Sequence, residues 1–160
     1  MPQLCRNPIM SHHPAPYGTA APADKLPFTP LYRLPTAIEQ ATWSEDRLQQ
    51  ECCLWCQATY PAAYRLLFAV PNGGKRSQAE AAKFVATGVK AGVPDLMLAM
   101  PYPAPLRGIY AGLFIELKTR TGRVAPAQTA WHAALRQQGY RVEVVRSLPE
   151  FIDLLTQYLA

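Results

Sequence analysis

No stretch of this chain approaches the run of about eighteen apolar residues that a membrane-crossing helix needs. The N-terminus is rich in proline and lacks the apolar core of a secretory signal. The expectation is a soluble, cytoplasmic protein that is not secreted and has no membrane partner. The four cysteines would stay reduced in such a compartment. Zinc spacings are missing as well. Cys5 with His12 and His13 matches no zinc pattern, and Cys53-x-x-Cys56 has no second pair and lies within a helical stretch that lacks the usual tight turn. Cys52, Cys53 and Cys56 are therefore read as helix-face filling.

A nucleotide-binding P-loop is also missing. Gly74-Lys75 invites the comparison, but Ala69 stands where the first glycine belongs and Arg76 replaces the magnesium-binding Ser or Thr. No nucleotide cofactor is expected. No basic recognition helix follows a short turn, which disfavours a helix-turn-helix reader. Acids are scarce where bases are common: residues 61–146 carry twelve Lys or Arg against four acids, two of which are Asp95 and Glu116. With a net charge of +5, that imbalance suits a polyanionic partner.

What is present is enough for one domain with a real core, at 160 residues, 49% hydrophobic and 17% charged. Half of the sixteen prolines fall in residues 1–35, so residues 1–40 read as an extended or disordered arm and 41–160 as the folded domain. Ser44 caps a helix running to about Thr59, with Leu48, Cys52, Trp55 and Thr59 on one stripe. Leu66–Val70 is a strand, and Ser77–Thr87 a helix with Ala81, Phe84 and Val85 inward, ended at Gly88. Leu96–Met100 and Leu113–Lys118 are strands, and residues 101–111 only connect them. Pro126 begins a helix to about Gln138 with Trp131, Ala134 and Leu135 inward and His132 on its surface. Arg141–Val145 is a last strand, followed by a C-terminal helix from Ser147. The order α-β-α-β-β-α-β-α makes an α/β domain, a small mixed sheet flanked by helices.

The chemistry concentrates between Gly92 and Lys118. Strand alternation puts Glu116 and Lys118 on one face and Leu117 on the other. With the Asp95 strand alongside, two carboxylates and a lysine converge at a strand end. Two carboxylates with a backbone carbonyl, that of Leu117, suit a hard ion such as Mg²⁺ or Mn²⁺. A lysine there can orient or deprotonate a metal-bound water, or neutralise a phosphate. An ordinary Glu–Lys pair at a solvated strand end fits the same spacing.

Pro94-Asp95 followed by Glu116-Leu117-Lys118 resembles the PD-(D/E)XK nuclease signature. Pro71-Asn72-Gly73-Gly74-Lys75-Arg76, Gly88 through Asp95, Gly112 through Lys118, Pro126-Ala127-Gln128 and Gly139-Tyr140 occur in the order seen in the virus-type replication-repair nuclease (VRR-NUC) family, over residues of about 44–145. The resemblance implies a restriction-endonuclease-like core and a metal-dependent DNA endonuclease. It also implies a first-helix glutamate followed four residues on by glutamine, matched by Glu45 and Gln49, with Glu51 as rival, and a glutamine that completes the site, matched by Gln128. Small members of the family are similar to Holliday-junction resolvases and flap- or branch-cutting repair nucleases, so branched DNA, a homodimer and a bacterial or phage-infected cell are implied. Asn72, Lys75, Arg76, Lys83, Lys90, Arg120 and Arg123 are the expected phosphate contacts, although exposed turn charges would look the same. The alternative from another class is a non-catalytic, basic DNA-binding module.

Overall fold

The computed structural model describes residues 32–71, 83–104 and 108–160. The expectations placed on Asn72, Lys75, Arg76 and Ala81 lie outside the described residues. The first described element is one helical turn, α1 (Ala37–Gln40), held by reciprocal capping: Thr36 Oγ1 accepts from the Glu39 N–H and Glu39 Oε2 accepts from the Thr36 N–H. It falls at the end of the stretch read as the arm. Ser44 then caps α2 (Glu45–Thr59), its side chain accepting from the Arg47 N–H. Pro61 begins the single turn α3 (Pro61–Tyr64).

Among the described residues, six strands follow: β1 (Leu67–Ala69), β2 (Leu96–Leu98), β3 (Tyr102–Ala104), β4 (Gly108–Tyr110), β5 (Leu113–Leu117) and β6 (Arg141–Val145). Two further helices are α4 (Pro126–Gln137), between β5 and β6, and α5 (Leu148–Leu159), at the end. The main sheet has the order β1-β2-β5-β6, antiparallel except for the parallel pair β5–β6. Parallel neighbours need a crossover long enough to return the chain, and α4 supplies it. The observed architecture is thus a small mixed sheet with flanking helices, as expected.

Strand alternation sorts the two faces. Leu96, Leu98, Leu113, Ile115 and Leu117 join Cys52, Trp55 and Cys56 of α2 and Phe151, Leu154, Leu155 and Tyr158 of α5 in one core. Truncating Phe151, which is fully buried, should cost about 3–5 kcal/mol. Phe114 and Glu116 point the other way, toward α4, and the Phe114 ring meets Tyr140 edge-on.

Several local expectations need correction. Residues 101–111 are more than a connection, because β3 and β4 pair as an antiparallel hairpin, Pro103 opposite Ile109; Pro103 can sit in a two-stranded ribbon without a central ladder to break. The order α-β-α-β-β-α-β-α omitted this hairpin and the turns α1 and α3. Thr59 is exposed, and Glu51 and Cys56 take the inward positions of α2. The chain is helical over 83–86, but Val85 is 69% exposed. On α4, Ala134 faces out and His132 faces in. Gly88 does end its helical turn with positive φ. Among the described residues, no helix is long and apolar enough to cross a membrane.

Candidate active site

Asp95 directly precedes β2, and the register pairs Leu96 with Ile115. One step on, Asp95 stands beside Glu116 on the same face of the sheet. Its Oδ2 accepts the Leu117 N–H at 2.8 Å, and its own carbonyl accepts the Val70 N–H, so the loop end is tied to both neighbouring strands. Burial pushes the Asp95 carboxyl up to about 6. The Leu117 N–H opposes that rise, and the Glu116 charge adds to it.

Glu116 has no exposed surface. Lys118 Nζ lies 2.6 Å from its Oε1, and the Gln128 amide also donates to Oε1. Lys118 is 6% exposed. Its ammonium further donates to the Leu117 carbonyl at 3.0 Å and reaches Glu45 Oε2 at 3.4 Å. Burial pulls the Lys118 pKa down, but the hydrogen bond and charge of Glu116, with Glu45 and Asp95, outweigh it and leave it raised. Lys118 is therefore an ammonium at neutral pH. An ordinary pair at a solvated strand end is excluded by this burial.

Glu45 opens α2, and its Oε1 accepts the Thr119 N–H at 3.3 Å. A Cβ at Gly122 would sit 3.1 Å from that oxygen, so the turn after β5 closes directly under the carboxylate. Glu51 does not reach this cluster. It is buried, with Tyr32 donating to its Oε2 at 2.6 Å and Arg47 beside its other oxygen. Of the two rival acids of α2, Glu45 and Glu51, Glu45 is the one at Lys118.

Gln128 lies in the first turn of α4. Its Oε1 accepts the Ala125 N–H at 2.8 Å while its amide nitrogen reaches Glu116. His132, four residues on, is 4% exposed and places Nε2 3.4 Å from Glu116 Oε2. This residue was expected at the helix surface. The spacing 128, 131, 132 and 135 is a helical stripe, and adding His132 to the stripe already holding Gln128 and Trp131 would have found it. Trp131 donates its indole N–H to the Ala91 carbonyl at 3.0 Å, which anchors the Gly92–Asp95 loop to the same helix.

Among the predicted phosphate contacts, Lys83, Lys90, Arg120 and Arg123 are exposed. Arg120 and Arg123 lie on the loop after Lys118. The buried Cys52 and Cys56 face the core, and burial pushes the Cys56 thiol up to about 12.

Among the described residues, no group of three or more His, Cys, Asp or Glu could by itself hold a metal ion. A site on Asp95 and Glu116 would add the Leu117 carbonyl. The donors present fit a hard divalent ion. Glu45, Asp95 and Glu116 outnumber the single Lys118, and that ammonium already gathers Glu116 Oε1, Leu117 O and Glu45 Oε2 around one cation.

A small mixed sheet flanked by helices, with Asp95, Glu116 and Lys118 at its strand ends, defines the class as an α/β domain with an acidic cluster around one lysine. The VRR-NUC domain model matches residues 35–149, and the chain belongs to that family. A search of the curated proteins found no match. The chain is similar to a solved structure described as a VRR_NUC domain protein, at 29% identity and a TM-score of 0.61, over 73% of this chain and 88% of that one. Family membership brings nuclease activity in the broad sense.

Proposed function

We propose that this chain is a Mg²⁺- or Mn²⁺-dependent DNA endonuclease with a PD-(D/E)XK site, hydrolysing phosphodiester bonds in branched DNA during replication, repair or recombination. The observation that carries this reading is the convergence of Asp95, Glu116, Lys118 and the Leu117 carbonyl at one strand end, with Glu45 and Gln128 against them. Asp95, Glu116 and the Leu117 carbonyl would hold the ion, with Glu45 at its edge. Such an ion, when bound, stabilises charge developing on the phosphate and makes hydroxide available at neutral pH.

The protein's own groups divide the remaining work. Lys118, an ammonium in the metal-free protein, would orient the attacking water and offset phosphate charge. Gln128 is engaged by Ala125 and Glu116, so we assign it to holding Glu116. Arg120, Arg123, Lys83 and Lys90 fit backbone phosphates. Cutting a four-way junction on two opposed strands would require a symmetric homodimer.

The test is cleavage of labelled four-way junction, flap, single-stranded and linear duplex DNA with Mg²⁺, Mn²⁺ or EDTA. Wild type is compared with Asp95→Ala and with Lys118→Met, whose apolar stem still fills the buried position. Metal-dependent cutting lost in both folded variants is the expected result, strongest on branched DNA. DNA binding without cutting under every metal would replace this reading with a binding module.

A further inference from the structure

A fully buried carboxylate is costly unless both oxygens have partners. For Glu116 those partners come from different directions. Lys118 and Gln128 hold Oε1, while Oε2 faces Nε2 of His132 at 3.4 Å. A ring N–H donates and a carboxylate oxygen accepts, so this contact is a hydrogen bond in the tautomer that carries its proton on Nε2. Gln128 and His132 stand one helical turn apart on α4, so a single rigid face grips both ends of the carboxylate. At 4% exposure, His132 is too enclosed to touch DNA.

We infer that His132 is a positioning residue for Glu116. By holding Oε2, it fixes the carboxylate plane and keeps Oε1, which Lys118 and Gln128 engage, beside the Leu117 carbonyl. Glu116 then meets a cation through one oxygen in one orientation. The inference deepens the proposed metal site and rests on that reading. Groups that orient a ligand in this way are each worth about 10- to 100-fold in metal affinity.

The experiment measures Mn²⁺ binding to the DNA-free protein by electron paramagnetic resonance, for wild type, His132→Phe, His132→Gln and Asp95→Ala. Imidazole ¹⁵N shifts of the metal-free wild type are recorded alongside. The Nε2-protonated tautomer is expected. Mn²⁺ affinity should fall about 10- to 100-fold in His132→Phe. His132→Gln, which carries an amide donor, should recover most of it. In cleavage assays, His132→Phe should raise the metal needed for half-maximal rate and leave KM for DNA unchanged.

An unprotonated Nε2 overturns the inference. So does equal Mn²⁺ affinity in wild type and folded His132→Phe, which leaves the nuclease reading standing. Wild type that binds Mn²⁺ no better than Asp95→Ala overturns both.

Discussion

Burial holds the Asp95 carboxyl near pH 6, well above its ordinary 3.8, and that has an energetic sign. The folded state keeps its proton more tightly than the unfolded chain does. Without metal, the Asp95 contribution to stability is therefore greatest below about pH 4, declines as pH rises through the window from about 4 to 6, and stays at its reduced level above. Asp95→Asn removes the charge and keeps the shape. It should raise stability at pH 7 by about 1 kcal/mol, flatten the melting curve's dependence between pH 4 and 6, and cut nuclease rate by about 10³-fold. Thermal melts across that range, with cleavage assays on the same samples, check both halves. Equal pH dependence in wild type and Asp95→Asn would show that burial does not strain this carboxylate. The same destabilised carboxylate is what a divalent cation would relieve, so added Mg²⁺ should stabilise wild type more than Asp95→Asn.

Among the elements, α4 does more than its sequence announced. It crosses from β5 to β6, reaches Glu116 through Gln128 and His132, and holds the Asp95 loop through Trp131. Gly92 is the point where loop and helix meet. Its φ is +89°, and a Cβ there would lie 2.9 Å from the Ala127 carbonyl carbon and 3.1 Å from the Trp131 ring. Backbone conformation and space both exclude a side chain. Gly92→Ala should cost about 2 kcal/mol or more and lower Tm by roughly 4–8 °C. It should also slow cutting beyond what lost stability explains, because Asp95 sits three residues on. A melt no lower than wild type would show that the loop shifts freely.

Legibility in the sequence followed the strength of the local signal. Glu116 and Lys118 could be read because a two-residue period fixes which side chains share a strand face. The β3–β4 hairpin could not, since Pro103 and its proline neighbours resemble a linker more than a strand. His132 was missed because a polar residue on a helix is usually solvated, and only the buried carboxylate across from it turns it inward. Glu45 and Glu51 were indistinguishable by periodicity. Tertiary partners, Tyr32 for one and Lys118 for the other, separate them.

At the scale of the whole molecule, the charges are arranged by sign. A net +5 chain gathers Glu45, Asp95 and Glu116 around one lysine, and sets Arg120 and Arg123 exposed on the loop that follows it. Three carboxylates beside a DNA backbone would repel it, so on the proposed function the exposed cations would carry the attraction and the cluster the chemistry. Binding should therefore depend on ionic strength in proportion to the phosphates neutralised. Arg120→Ala and Arg123→Ala should each reduce the slope of log K against log salt by about 1, and weaken binding equally for every DNA sequence. Asp95→Asn should leave that slope unchanged and tighten binding, since it removes a negative charge from the approach. Fluorescence anisotropy over a salt series, in EDTA so that nothing is cut, separates the two contributions. If the arginine variants kept the wild-type slope, the loop after Lys118 would not be where the backbone lies, and the DNA path would have to be sought along Lys83 and Lys90.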